Sequence, residues 1–425
     1  GPIFGAIMGA KFGPSAYLWI VFGCIFAGAT HDYLSGMISM RKGGVGLHEV
    51  IGETLGDKTR KLMLVFSVVL LTMVGAVFVY SPAEILDDMA GTTTMWIIII
   101  FAYYFIATML PVDKVIGRIY PIFAFSLLFM AGALMVVLFL KWPSVPELWD
   151  GLGNKALTVD SSWSSQLYPC LFITIACGAI SGFHATQSPL MGRCMKSERM
   201  GRPIFYGAMI TEGVVALIWA TVASYFFYAE PQPGYQVITE FANNGFSTSA
   251  PKVVNIICND WLGVAGGILA MLGVVAAPIT SGDTALRSAR LIIADFIRIE
   301  QRTIKRRLLI SVPLFLCCIA LLLWQVENPD GFNVIWQYFG WSNQTLSVFT
   351  LWAITVYLLQ NGKPYYFMLI PALFMTTICA TYLFVSKQAF GMPDTIGYIL
   401  GVVVLIVAYG WFHIYESKYK KNNKI

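Results

Sequence analysis

The chain has 425 residues, of which 57% are hydrophobic and only 12% charged, a composition that excludes an ordinary soluble domain. Its 28 Lys and Arg outnumber 23 Asp and Glu, for a net charge of +5. That excess calls for no nucleic-acid partner, because basic residues on the cytoplasmic side of a membrane and in a lysine-rich tail against anionic lipid account for it.

A helix needs roughly 20 apolar residues to cross the hydrocarbon. The sequence predicts an apolar piece at 1–13, then spans near 15–40, 62–80, 95–110, 119–140, 166–190, 204–228, 254–280, 308–324, 335–359, 365–386 and 395–415. Residues 1–13 hold Gly1, Pro2, Gly5, Gly9 and Gly13, with Pro14 next. They read as a helix breaker or, through the spacing of four, as a seam where helix backbones approach. The 15–40 span carries His31 beside Asp32, a pair suited either to holding a proton or to a structural hydrogen bond.

Every second gap between spans is basic. The first holds Arg41, Lys42, Lys58, Arg60 and Lys61, and the last holds Lys418, Lys420, Lys421 and Lys424. The gaps between are neutral or acidic, as at Glu84, Asp87 and Asp88 or at Glu147, Asp150 and Asp160. This bias predicts a multi-pass membrane protein with a cytoplasmic C-terminus.

The 166–190 span has a second glycine-rich interruption, with Cys177, Gly178, Ala179, Ser181 and Gly182 leading to His184. No Lys or Arg lies between Lys155 and Arg193. An anion here would meet the backbone N–H groups of a half-helix starting near 179–182, helped by Ser181 and His184. The Gly178 and Gly182 spacing also fits a packing seam. Glu212, in the next span, is another carboxylate at membrane depth. At the end of the 254–280 span, Thr280, Ser281, Asp283 and Thr284 offer oxygens to a hard cation, and Pro278 frees a carbonyl. The alternative pairs Asp283 with Arg287 or Arg290 at the cytoplasmic surface.

The eight cysteines include no CxxC pair, so free thiols are expected and no metal site. His48-Glu49 lacks a second His, since Gly52 stands there, and no GxSxG or Walker A loop occurs. Neither an enzyme nor a cofactor is expected. A chain that begins at Gly1, without a basic n-region or cleavage site, is expected to be a fragment of a longer protein.

Counting crossings divides the chain into 1–145, with a truncated first helix, 146–360, and a remainder 361–425 of two extra helices and a basic tail. Five helices in each of the first two parts start on opposite sides of the membrane. The expected fold class is therefore an all-α membrane protein, a five-plus-five inverted-repeat transporter with broken first and sixth helices. In that architecture the breaks form the substrate site, here Gly1 and Pro2 with Cys177, Gly178, Ala179, Ser181, Gly182 and His184. Thr280, Ser281, Asp283 and Thr284, with His31 and Asp32, are the expected ion-coupling residues.

Residues 23–33, ending in Ala29, Thr30, His31, Asp32 and Tyr33, resemble the second-helix motif of the carbon starvation protein A (CstA) family. The 174–185 stretch is similar to that family's most recognisable segment, and Thr280 to Arg287 and Phe339 to Gln344 also fit. The resemblance implies a bacterial inner-membrane transporter of the amino acid–polyamine–organocation superfamily. It implies uptake of pyruvate or short peptides when carbon is scarce, coupled to H+ or Na+. Family members carry a His-His segment before the Gly-Pro that here is Gly1 and Pro2, and this chain resembles the shorter members. An uncoupled facilitator is one alternative. Another is a membrane nutrient sensor docking a partner on the loop 281–307, which is basic and helical enough for it. A homo-oligomer is left open.

Overall fold

The computed structural model describes residues 2–87, 90–109, 120–145, 147–151, 166–174, 178–228, 250–328 and 331–423. Every regular element among them is helical. The principal helices are α1 (Pro2–Phe12), α2 (Ala29–Arg41), α3 (Leu47–Leu55), α4 (Asp57–Asp87), α5 (Thr93–Met109), α6 (Tyr120–Lys141) and α7 (Gly182–Cys194). They continue with α8 (Gly207–Tyr228), α9 (Ala250–Phe296), α10 (Ile304–Glu327), α11 (Gly331–Gln360), α12 (Tyr366–Val385) and α13 (Asp394–Asn423). Among the described residues six helices are long and apolar enough to cross a membrane: α4, α6, the Glu198–Phe227 stretch, α10, α12 and α13.

Two elements differ from the sequence reading. α1 is an unbroken helix that starts at Pro2, where a missing N–H costs nothing, and ends at Gly13 with φ 57°. A Cβ at Gly5 would lie 2.6 Å from the Ala216 carbonyl oxygen, and one at Gly9 would lie 2.1 Å from that of Ala220. These glycines therefore form the backbone seam against α8. α9 does not stop at 280 but continues as one helix to Phe296, which takes in the first part of the 281–307 segment expected to have helical character. The reason is that no Pro or Gly follows Gly282 there, while Ala285, Leu286, Ala289 and Ala294 are all buried. The interruption in α9 falls instead at Gly263, whose φ of 61° and ψ of −173° suit glycine.

The chain forms two compact units. One comprises Gly1–Tyr17, Ser67–Ser161 and Val214–Phe339, the other Leu18–Phe66, Ser162–Gly213 and Gly340–Ile425. In the first, α9 packs on α1, α5, α6 and α10. In the second, α7 packs on α2 and α12 on α13. A π-helical stretch, Trp19–Gly28, leads into α2. Residues 178–181 are non-helical, and Ser181 is extended (φ −134°, ψ 117°) just before α7.

Candidate functional site

In the second unit, four titratable side chains from three helices join in a line. His31 Nδ1 lies 2.8 Å from Asp32 Oδ1, and the other Asp32 oxygen lies 2.7 Å from His184 Nδ1. His184 Nε2 is in turn 3.3 Å from Glu212 Oε2. His31 is fully buried and Asp32 is 6% exposed, whereas His184 and Glu212 are partly open. Glycine makes the meeting sterically feasible: a Cβ at Gly28 would lie 2.0 Å from the Ala179 carbonyl oxygen, so the segment before α7 rests directly on the approach to α2. Ser35 donates to Ser188 at 3.4 Å, tying the same two helices further along. Cys24 faces the same carboxylates and gives its thiol to the Met209 carbonyl at 3.3 Å.

The proton count follows from this geometry. A neutral imidazole has one N–H and one bare nitrogen, but both His184 nitrogens face carboxylate oxygens. Either His184 is an imidazolium that donates to both, or one carboxyl carries the proton. In both cases the His184 contacts with Asp32 and Glu212 hold a proton at membrane depth, and losing it breaks a contact.

The start of α7 is closed by a side chain from α11. Asn343 Oδ1 accepts the Phe183 N–H at 2.7 Å, and Asn343 Nδ2 donates to Ser181 Oγ at 3.2 Å. One amide thus serves as the cap that Ser181 itself does not provide. A Cβ at Gly182 would lie 2.3 Å from the Asn343 carbonyl oxygen and 2.4 Å from the Ser347 nitrogen. Gly182 is therefore where α7 and α11 touch backbone to backbone.

The first unit gathers Thr280, Asp283 and Thr284 around Tyr120. The Tyr120 hydroxyl lies 3.0 Å from Asp283 Oδ2 and from Thr284 Oγ1, and 3.1 Å from the Thr280 carbonyl. Arg287 Nη2 lies 3.1 Å from both Asp283 oxygens and donates to the Ala107 carbonyl at 2.8 Å. Asp283 thus pairs with Arg287 inside the unit, 0% and 1% exposed, rather than at a surface. The threonine hydroxyls donate to carbonyls, Thr280 to Ala277 and Thr284 to Thr280. Ser281 is half-buried on the same helix.

Gly1 and Cys177 lie outside the described residues, and only the backbone of Pro2 is described. Gly178 and Ala179 belong to the non-helical segment. Sequence reading missed Tyr120 and Asn343 as partners. The signal for Asn343 was its polarity, between Ser342 and Gln344, in an otherwise apolar helix.

The carbon starvation protein CstA family matches residues 1–93, 79–255 and 240–382. An uncharacterized membrane protein of Haemophilus influenzae is 42% identical over 55% of this chain and 75% of its own length. A peptide transporter CstA of Bacillus subtilis is 26% identical over 96% of this chain and 84% of its own. A pyruvate/proton symporter BtsT of Escherichia coli is 27% identical over 53% of this chain and 40% of its own. Among solved structures, a mutant of the Eremococcus coleocola manganese transporter superposes with a TM-score of 0.56 at 13% identity, covering 98% of this chain and 94% of that one. That last likeness is one of fold alone.

Proposed function

The chain belongs to the carbon starvation protein CstA family, and from that premise we propose that it is a proton-coupled secondary transporter importing a small carboxylate such as pyruvate, or short peptides. The observation that carries the coupling is His184, held between Asp32 and Glu212. With an imidazolium between two carboxylates, Asp32, His184 and Glu212 together bear one net negative charge. An anionic substrate entering beside it meets repulsion at membrane depth unless one more proton neutralises a carboxylate. Proton and carboxylate therefore bind together, which is symport. His184 and Glu212 form the accessible end of the line, while His31 and Asp32 hold its buried end. In this reading the substrate carboxylate lies beside His184 and the non-helical 178–181 segment. Asp283 serves structure through Arg287, since the guanidinium already supplies the positive charge a bound cation would bring.

The five-plus-five repeat and the cytoplasmic C-terminus are part of the same proposal, supported by the interruption before α7 and by the basic tail. Purified protein in proteoliposomes tests the function. An inward proton gradient should drive uptake of labelled pyruvate or a dipeptide above equilibrium, and a sodium gradient alone should not. Binding without flux would identify a nutrient sensor. Flux that only equilibrates would identify a facilitator.

A further inference from the structure

In the first unit α5, α9 and α10 pack on one another, and charge is unbalanced where they meet. α9 brings Arg287 and Arg290, 1% and 4% exposed, and α10 brings the half-buried Arg307. Asp283 is engaged by Arg287. Arg307 gives Nε to the Gln301 carbonyl at 2.8 Å and Nη1 to that of Met109 at 2.7 Å. Arg290 does neither: its Nε and Nη1 are buried without a hydrogen-bond partner. Arg290 lies ten residues beyond the apolar 254–280 run; burial, Arg307 and Arg287 pull its guanidinium down to about 10, against the opposite pull of Asp283. It is still charged at neutral pH. Of the described acids near it in sequence, Asp283 is held by Arg287, Glu300 faces Arg302 and Arg306, and Asp295 is exposed.

Two more buried donors belong to the same junction. Thr108 Oγ1 and Ser311 Oγ are both buried and without a partner. Thr108 stands between Ala107 and Met109, whose carbonyls accept from Arg287 and Arg307. Ser311 is one turn along α10 from Arg307, on the same face. A buried guanidinium with two nitrogens unbonded, whose neighbouring carboxylate Asp283 is already held by Arg287, is costly to keep. Here the unmatched groups on all three helices can act as donors, and the residues bearing them are closed to solvent. Such a site takes a small anion, and its closure favours a monatomic one.

We propose that Arg290, with the hydroxyls of Thr108 and Ser311, binds a chloride ion at the junction of α5, α9 and α10. The ion balances the second buried guanidinium of α9 one turn from the Asp283–Arg287 pair, and ties three helices together. The full chain in detergent tests this by thermal unfolding at constant ionic strength, with chloride or bromide replacing gluconate. The wild-type Tm should rise with halide. Arg290→Gln should lose the dependence, Thr108→Val should weaken it, and the exposed Arg302→Gln should keep it. Crystals soaked in bromide should show anomalous density beside Arg290, a readout that needs no variant. A Tm indifferent to halide, or bromide absent from the junction, overturns the proposal in favour of water. A Tm that rises through Arg290 with pyruvate but not with halide overturns it in favour of a substrate site.

Discussion

At Gly182 a side chain would have nowhere to go, since its Cβ would lie 2.3 Å from a backbone oxygen of α11 and 2.4 Å from a backbone nitrogen. Gly182→Ala should therefore destabilise the protein by about 1–3 kcal/mol, the usual cost of overpacking. Thermal unfolding in detergent reads it, and an unchanged Tm would mean that α7 and α11 separate easily. The Asp283–Arg287 pair makes a sharper case. Arg287→Gln leaves a buried carboxylate without its guanidinium and should cost about 3–5 kcal/mol. Asp283→Asn combined with Arg287→Gln should recover most of that loss, because both charges of the pair are then gone. If the double variant is as unstable as Arg287→Gln alone, the pair is not what holds this part of the unit.

At the scale of elements, α7 depends on a cap from another helix. Asn343→Ala removes the acceptor of the Phe183 N–H and the donor to Ser181. The expected loss is about 0.5–2 kcal/mol, with faster hydrogen exchange confined to the first turn of α7. Exchange unchanged at Phe183 would show that the cap is dispensable. Much of the element order was legible, because long apolar runs and glycine interruptions are local properties of sequence. The end of α9 was not. The polar residues after 280 mark where the chain can meet water, not where the helix stops. The break at Gly263 was also hidden, since a lone glycine between apolar residues fits an unbroken helix equally well. Partners were the least legible: His184 and Asp32 are 152 residues apart, and Ser181 and Asn343 are 162 apart. His31, Asp32, His184 and Glu212 could each be singled out as polar groups at membrane depth. That three of these helices place them in one line is a tertiary fact.

For the whole molecule, membrane orientation and coupling are the two claims to check. A single cysteine placed at Lys421 in a cysteine-free background should resist an impermeant thiol reagent in intact cells and react after permeabilisation, as the positive-inside bias requires. Labelling in intact cells would reverse the orientation. In the proposed function, coupling rests on the His184 bridge between Asp32 and Glu212. In proteoliposomes with an inward proton gradient, wild-type protein should concentrate labelled pyruvate or dipeptide, and uptake should fall as the external pH rises. The most direct measurement compares it with Glu212→Gln, which keeps the shape but cannot take up the symported proton. The account predicts that Glu212→Gln exchanges substrate across the membrane yet stops at equilibrium. Accumulation by Glu212→Gln equal to that of the wild type would contradict it.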